Sequence, residues 1–320
     1  MNRRPSTDDS GEIDAAREAR IGIVVLTHDR REEAMRTLGH LPRGNDIPIV
    51  VVDNASSDGT ADAVRASYPD VSIVRLTENA GAADRNAGVR ACRARYVAFC
   101  DDDTWWDGAS LEHAAAALDR HPSLAVVTAR VLVGDDARED PASSRMAASP
   151  FPNTLGVDGR EVLGFMAGAC MFRRTAFLAV GGYEPRLFIG REERLLAIDL
   201  LAAAWRMAYL PAAVVHHQPS RIRDRRARQL LLLRNGLWCA WLRRPLPSAL
   251  RESLALCREG HRNGTLTAGV LAALRGLSWL VRARCVVEPG IETLLRRLDA
   301  FDSEPVPEYR AAVAPAPRNP

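Results

Sequence analysis

Three consecutive aspartates, Asp101, Asp102 and Asp103, follow the apolar run 96–99 after a single cysteine. Side chains alternate along an extended strand, so we expect Asp101 and Asp103 to face one side and Asp102 the other. Two carboxylates in this i, i+2 pattern suit Mg²⁺ or Mn²⁺, which commonly complete their coordination with substrate phosphates and water. A solvated acidic turn is the alternative, and the other polar residues must decide between the two.

The basic residues narrow the chemistry, because all 43 of them are arginine and the chain has no lysine. This composition excludes a P-loop lysine and Schiff-base catalysis. A bound phosphate must therefore be held by arginine, backbone N–H groups or a metal ion. The formal net charge of +3 over 320 residues gives no sign of nucleic-acid binding.

Six cysteines without a C-x-x-C pair predict reduced thiols in a cytoplasmic protein. The first twenty residues lack the apolar stretch of a secretory signal, and no uncharged apolar run reaches the ~20 residues of a membrane span.

The acidic triplet stands within an alternation of strands and helices. Short β-branched runs predict strands at 21–27, 47–53, 71–76, 96–100 and 124–133, and helical spacing predicts helices at 30–41, 82–92 and 108–120. We also predict a long loop at 134–163, strands at 165–174 and 207–217, and a helix at 191–204. This order predicts an α/β fold with a mainly parallel sheet covered by helices on both faces.

Composition divides the chain into a disordered N-terminus (1–20), the α/β domain (21–218), a helical C-terminal extension (219–302) and a disordered tail (303–320). The extension opens with an arginine-rich segment, 221–244, that also carries leucine and tryptophan. Peripheral contact with anionic lipid at the inner face of the membrane is one interpretation of this segment. A helix packed on the domain with solvated arginines is the other, and RNA binding is a distant third.

Polar residues gather at the predicted strand ends, where open parallel sheets bind their ligands. The first three strands are followed by Thr27 and Arg30, by Asp53 and Asn54, and by Asn79 and Arg85, and the fourth ends at the triplet. The carboxylate of Asp53 can accept a hydrogen bond from a base or ribose, and Arg85 can reach an anion. This convergence favours the metal interpretation of the triplet.

The segments "VVLTHDR", "IVVVDNASSDGT", "NAGAADRNAGV" and "VAFCDDDTWW", followed by "GACMFRR" and "GREERLL", resemble the inverting family 2 glycosyltransferases of the GT-A (Rossmann-like) fold over about residues 20–218. The resemblance implies a nucleotide-sugar donor, Mn²⁺ or Mg²⁺, and a carboxylate base that activates an acceptor hydroxyl. The acceptor class stays open among glycan, lipid-linked and small-molecule hydroxyls.

Carried over by position, the resemblance assigns Thr27, Arg30, Asp53 and Arg85 to the nucleotide sugar and Asp101 and Asp103 to the metal, with Asp103 the direct ligand. His217, or its neighbour His216, can complete the metal site, and Asp102 can turn toward the ribose. Asn54 and Asn79 belong to the same strand-end set.

The catalytic base maps to Glu193, with Glu192 second; the alternative is a pair of exposed carboxylates that the helix dipole stabilises. Trp105 and Trp106 are candidate contacts to the acceptor, or else packing residues. Two other function classes remain: a sugar nucleotidyltransferase, and a non-catalytic glycan-binding protein of the same fold.

Overall fold

The computed structural model describes residues 18–42, 47–219 and 225–304. The described chain forms ten strands: β1 (Ala19–Thr27), β2 (Ile49–Asp53), β3 (Ser72–Arg75), β4 (Ala94–Asp101), β5 (Thr104–Trp106), β6 (Leu124–Val133), β7 (Arg138–Glu139), β8 (Arg160–Val162), β9 (Cys170–Arg173) and β10 (Arg206–His217). Seven α-helices lie within the described residues up to 219: α1 (Arg31–His40), α2 (Thr60–Ser67), α3 (Arg85–Ala91), α4 (Gly108–Arg120), α5 (Pro141–Ala147), α6 (Arg174–Ala179) and α7 (Glu192–Ala202). Short 3-10 helices lie at Gly81–Asp84 and Pro185–Leu187.

All ten strands join one sheet, whose main order is β3-β2-β1-β4-β9-β6-β10-β5. The half from β3 to β4 is parallel, and its register aligns Thr27 with Asp53 and Leu26 with Asp101. The polar residues that follow β1, β2 and β4 therefore meet at one edge of the sheet, as the sequence predicts.

The other half adds antiparallel strands to the mainly parallel sheet that the sequence predicts, although β6 and β10 pair in parallel. Strand β9 pairs antiparallel with both β4 and β6, and β5 pairs antiparallel with β10, so the sheet is mixed. Because β9 runs antiparallel to its neighbour β6, the connection between these two strands needs no crossover helix. Strand orientation of this kind depends on the path of the chain and is invisible in local periodicity.

The segment 134–163, expected to be a loop, contains β7, α5 and β8. Its Asp-Pro pair begins a helix, because the Asp140 side chain caps α5 and Pro141 takes the first position. The Ser143 hydroxyl then accepts a hydrogen bond from the Val131 N–H at 2.9 Å, which holds α5 against β6. At 165–174 only Cys170–Arg173 is a strand.

The C-terminal extension consists of α8 (Arg225–Arg243), α9 (Leu246–Arg262), α10 (Leu266–Leu274), α11 (Leu277–Ala283) and α12 (Pro289–Ser303). Leu233, Leu237 and Trp238 of α8 are buried in a hydrophobic cluster shared with Leu195 of α7. The buried Arg244 pairs with Glu292 at 2.7 Å and with Asp299 at 2.9 Å, which ties α12 to α8. Within the described residues of segment 221–244, the helix thus packs on the domain, as one of the two interpretations predicts; contact of this segment with a membrane stays a prediction, and 221–224 lie outside the described residues.

The predicted disordered ends also fall largely outside the described residues, at 1–17 and 305–320. Within the described ranges no single helix is long and apolar enough to cross a membrane. Helices α10 and α11 pass that test of length and composition only as a pair, and they are bent by 58° at their junction.

Candidate active site

Asp101 ends β4, and Asp102 and Asp103 form a tight turn into β5. Thr104 secures this turn, because its Oγ1 accepts a hydrogen bond from the Asp101 N–H (2.8 Å) and donates one to the Gly168 carbonyl (2.9 Å). A Cβ at Gly168 would lie 2.5 Å from Asp101 Oδ2, so a larger residue there would displace the carboxylate. The backbone on both sides thus fixes the first aspartate.

Two arginines divide the triplet between them. Arg30 Nη1 lies 3.1 Å from Asp102 Oδ1 and 3.4 Å from Asp103 Oδ2, whereas the buried Arg85 pairs with Asp101. This pairing differs from the division expected from alternation, in which Asp101 and Asp103 share a side. Alternation applies to extended backbone, and the chain turns after Asp101.

Burial raises the pKa of the Asp102 carboxyl to about 7; Arg30 opposes the shift, and the charges of Asp103 and Asp101 add to it. Asp102 therefore takes up a proton close to neutral pH. Its protonation relieves the repulsion among three adjacent carboxylates.

Asp103 and His217 are the pair of side chains best placed to bind a metal ion. Asp103 Oδ1 lies 3.6 Å from His217 Nε2, and the Gln218 N–H donates to the Asp103 carbonyl at 2.9 Å. Among the described residues no three His, Cys, Asp or Glu side chains converge on one point. Two protein ligands nevertheless fit Mg²⁺ or Mn²⁺, since such ions take their other ligands from phosphates and water. His216 instead stacks on Trp105.

The loops that follow β1 and β2 line one side of the site. Asp53 is fully buried; its Oδ1 accepts a hydrogen bond from the Ser56 N–H at 3.0 Å, and its Oδ2 lies 3.6 Å from Arg75 Nε. The Asn54 N–H donates to the carbonyl of the buried Thr27 at 2.9 Å, which joins the ends of β1 and β2. A cavity of about 410 Å³ opens beside these loops, lined by His28, Asp29, Arg30, Arg31, Glu32, Glu33 and Asp58.

The loop before Arg85 packs against a second loop, residues 188–191, which precedes α7. Asn79 Oδ1 accepts a hydrogen bond from the Gly81 N–H at 2.9 Å, so Asn79 shapes the turn with its side chain. The Ala82 N–H donates to the Phe188 carbonyl at 2.7 Å. Gly81 has a φ of +69°, and a Cβ there would lie 2.1 Å from Phe188 O, so only glycine permits this approach.

The carboxylates Glu192 and Glu193 begin α7 directly after this second loop. Three of the four preceding residues have positive φ: Phe188 (62°), Gly190 (89°) and Arg191 (66°). Such conformations in non-glycine residues persist only where the surroundings hold them, and they cluster at functional sites. The strained loop therefore sets where the two carboxylates point.

Both carboxylates have raised pKa values. Burial, with repulsion from Glu193, raises the pKa of Glu192 to about 8, while Arg85 opposes the shift. Burial also raises the pKa of Glu193, opposed by its own N–H and by Arg85 and reinforced by Asp101. Arg85 and Asp101 thus act on the carboxylate pair, which places the pair within electrostatic reach of the aspartate triplet.

Arg85 stands at the centre of a buried polar cluster. Its Nε, the Tyr183 hydroxyl and Glu192 Oε2 have no hydrogen-bond partner among the described residues, although all three atoms are buried. The charge of Arg85 acts on the pKa of both Tyr183 and Glu192. Buried polar atoms left unsatisfied mark a place where a polar ligand or water is expected.

The two tryptophans pack against protein groups, which is the alternative interpretation of these residues; contact of the partly exposed Trp105 with an acceptor stays a prediction. Trp106 is fully buried, and its Nε1 donates to the Phe99 carbonyl at 3.1 Å. Trp105 stacks on His40 with ring centroids 4.3 Å apart and on His216 at 5.6 Å. Both rings are therefore in contact with protein groups.

Comparison with known families agrees with this geometry. The family described as glycosyl transferase family 2 matches residues 23–181, which include the first loop, Arg85 and the aspartate triplet. The chain belongs to glycosyl transferase family 2. The matched range ends before α7, so the pair Glu192 and Glu193 lies beyond it.

Relatives and solved structures support the assignment of this glycosyltransferase. The N-acetylglucosaminyl-diphospho-decaprenol L-rhamnosyltransferase of Mycobacterium tuberculosis is 27% identical over 276 residues, covering 73% of this chain and 90% of that protein. TarS 1–349 of S. aureus, solved in complex with UDP-GlcNAc, superposes with a TM-score of 0.56 at 17% identity, covering 88% of each chain. A mannosyltransferase of Pyrobaculum calidifontis, in complex with GDP-Man and Mn²⁺, gives 0.50 at 19% identity, covering 90% and 89%. These likenesses confirm the predicted GT-A fold.

Two residues of the candidate site, Asn235 and Tyr183, were not predicted from the sequence. Asn235 of α8 is fully buried, and its Nδ2 donates to the carbonyls of Leu187 (2.8 Å), Ile189 (3.1 Å) and Gly190 (2.6 Å). Tyr183 follows the double glycine and is buried, and the charge of Arg85 acts on its pKa. An asparagine within the mostly apolar stretch 230–242 is a signal for the first, because a buried polar side chain needs partners; no comparable signal marks Tyr183.

Proposed function

We propose that this glycosyltransferase moves a sugar from a nucleoside diphosphate sugar to an acceptor hydroxyl with inversion at the anomeric carbon. The observation that carries the proposal is the buried cluster around Arg85, which links the Glu192–Glu193 pair to Asp101. The glutamate pair that would activate the acceptor and the Arg85 guanidinium that would stabilise the leaving diphosphate then lie in the same site. The fold neighbours solved with UDP-GlcNAc and GDP-Man support the donor class.

The donor would lie along the strand-end edge. Asp53, Asn54 and Thr27 at the ends of β1 and β2 suit the base and ribose, and Arg30 and Arg85 suit the diphosphate. Asp103 and His217 would hold Mn²⁺ or Mg²⁺, with Asp101 as a further carboxylate nearby. When bound, that ion supplies positive charge that stabilises the departing diphosphate.

In the transfer itself, the acceptor oxygen forms a new bond to the anomeric carbon from the face opposite the diphosphate. The bond from that carbon to the diphosphate oxygen breaks, and its electron pair leaves with the nucleoside diphosphate. Glu193 accepts the acceptor's proton and later passes it to solvent. We assign this role to Glu193 because the residue as a whole is partly exposed, whereas Glu192 is 5% exposed.

For the acceptor, we propose a hydroxyl on a lipid-linked saccharide. The relative from Mycobacterium tuberculosis, whose name gives a diphospho-decaprenol acceptor, aligns over 90% of its length. We place the reaction in the cytoplasm, at the inner face of the membrane that would hold such a lipid.

The proposal is tested by thermal-shift screening of UDP-, GDP- and dTDP-sugars with and without Mn²⁺, on the wild type and on Asp103→Asn. At least one donor should raise the Tm of the wild type in a Mn²⁺-dependent manner, and Asp103→Asn should lose that increase. Asp158→Asn, an exposed aspartate, controls for the lost charge. If none of the donors stabilises the wild type in the presence of Mn²⁺, the proposal fails.

A further inference from the structure

A second cavity, of about 410 Å³, lies between the C-terminal extension and the 3-10 helix Pro185–Leu187, and no residue of the aspartate triplet lines it. Four arginines and two tryptophans dominate its lining: Arg186, Arg234, Arg275, Arg282, Trp238 and Trp279. We refer to it as the arginine pocket. Guanidinium groups recognise phosphate oxygens through paired N–H donors, so this lining suits an anion.

The positive charge of the arginine pocket is largely uncompensated. Arg186 pairs with Glu184 at 2.9 Å. No salt bridge joins Arg234, Arg275 or Arg282 to a carboxylate within the described ranges. Arg234 instead donates to the Asn235 side chain and to main-chain carbonyls, and burial lowers its pKa. An anionic ligand would therefore supply a partner that Arg234, Arg275 and Arg282 do not find among the carboxylates of the described residues.

Aromatic rings hold two of these guanidinium groups in place. Arg234 lies 4.5 Å from the centroid of Trp238, and Arg186 lies 5.0 Å from that of Trp279. The Trp238 Nε1 donates to the Ala273 carbonyl at 2.9 Å, which fixes that ring against α10. Guanidinium groups held in this way lose less side-chain entropy when they bind an anion.

The helices that carry Arg275 and Arg282 also expose a row of large apolar side chains. Leu271, Leu274, Leu277 and Val281 are 54%, 56%, 54% and 71% exposed. An uncompensated basic pocket beside exposed leucines suits an amphiphile, with an anionic head in the pocket and an apolar chain against the leucines. A free phosphate would leave the leucines without a partner.

The arginine pocket is joined to the strained loop that precedes the carboxylate pair. Arg234 Nη2 donates to the carbonyls of Arg186 (3.2 Å) and Leu187 (3.0 Å), and the neighbouring Asn235 holds Gly190. A ligand in the pocket would therefore contact an arginine that is hydrogen-bonded to the loop leading to Glu192 and Glu193.

We propose that the arginine pocket binds the diphosphate of a lipid-linked acceptor, whose lipid chain contacts the exposed residues of α10 and α11. This inference rests on the proposed function, because it supplies the head group of the acceptor that Glu193 would activate. It also places the membrane-facing surface on α10 and α11, and not on α8.

The test measures binding to phosphatidylcholine vesicles that contain either geranylgeranyl diphosphate or geranylgeraniol, by co-flotation. The wild type should bind the diphosphate vesicles at least tenfold more tightly, and Arg275→Gln/Arg282→Gln should lose most of that difference. Arg65→Gln/Arg138→Gln removes two exposed charges from the catalytic domain and should bind like the wild type. Inorganic pyrophosphate should compete only weakly, since it lacks the chain.

Donor-induced thermal shifts in the same samples separate this inference from the proposed function. A variant that keeps the Mn²⁺-dependent donor shift is folded, so its loss of vesicle binding then supports the pocket. If the donor shift is present and both double variants bind vesicles equally, the pocket assignment is overturned while the proposed function stands. Equal binding to phosphatidylglycerol vesicles without the diphosphate would overturn it in favour of general anionic membrane contact, and self-association that excludes vesicles would overturn it in favour of a dimer.

Discussion

Asn235 Nδ2 lies 2.6 Å from the carbonyl oxygen of Gly190, so a side chain of the C-terminal extension holds the backbone that leads into Glu192. The same amide group reaches two further carbonyls of the loop. The extension therefore contributes to the proposed catalytic site, since it fixes the strained turn that precedes the two carboxylates.

Asn235→Ala should lower kcat by about 100-fold, because a shift of roughly 1 Å in a catalytic group can cost that much. The KM for the donor should change less than kcat, because Thr27 and Asp53, proposed for the base and ribose, lie at the ends of β1 and β2 and not on this loop. Asn263→Ala, which truncates an exposed asparagine at the end of α9, is the matched control. Steady-state kinetics with varied donor measures both parameters; an unchanged kcat, or a KM that rises in proportion, would contradict the role.

Gly81→Ala should destabilise the fold by about 2–4 kcal/mol, since it adds a clash with Phe188 O to the strain of a left-handed backbone. Gly134→Ala isolates the backbone strain, because Gly134 has a φ of +71° and open space around its Cβ position; we expect about 1 kcal/mol there. Urea unfolding of both variants measures the difference. Equal losses would show that the two loops separate freely.

Much of the donor side of the site follows from local sequence patterns. The run Ile49–Asp53 is buried along its whole length, and such β-branched runs predict central strands of a parallel sheet. Once four strands are parallel and adjacent, the polar residues after Thr27, Asp53 and Asp101 must lie at the same edge. Their convergence could therefore be predicted without knowledge of side-chain contacts.

The acceptor side could not be predicted in this way. The orientation of β9 depends on the path of the chain through α5 and β8, and the contact of Asn235 with Gly190 joins segments 45 residues apart. The turn at Asp102 and Asp103 also defeats the alternation rule, since that rule holds only while the backbone stays extended. Long-range packing decides all three features.

The raised pKa of Glu192 gives a signed prediction for stability. A carboxyl whose pKa in the folded state, about 8, lies above its ordinary value of 4.5 contributes stability below the ordinary value and loses it as pH rises through 8. The free energy of unfolding should therefore fall between about pH 5 and pH 8, and Glu192→Gln should make that fall shallower. Urea unfolding across this range, with the exposed Glu259→Gln as control, measures it; parallel curves for wild type and Glu192→Gln would contradict the assignment.

The same pair predicts the pH dependence of catalysis. Glu193 must be deprotonated to accept a proton, and burial raises its pKa, so kcat/KM should rise with pH along a limb that reports this group. Glu193→Gln should lower kcat by about 100-fold or more. Glu192→Gln should keep measurable activity and move the limb to lower pH, because it removes a neighbouring negative charge. Activity that survives in Glu193→Gln and disappears in Glu192→Gln would assign the base to Glu192.

Arg85 pairs with Asp101, whereas Arg30 pairs with Asp102 and Asp103, so we expect the aspartates to differ as metal ligands. Asp101 is held by Arg85, whereas Asp103 lies 3.6 Å from His217. Asp103→Asn and His217→Gln should therefore each raise the Mn²⁺ concentration for half-maximal donor thermal shift at least tenfold, the scale on which loss of ligating groups affects metal sites. Asp101→Asn should raise it less and mainly reduce the size of the shift, since it leaves the buried Arg85 without its carboxylate. If Asp101→Asn weakens Mn²⁺ dependence as strongly as Asp103→Asn, then Asp101 is a direct ligand and Arg85 releases it when the donor binds.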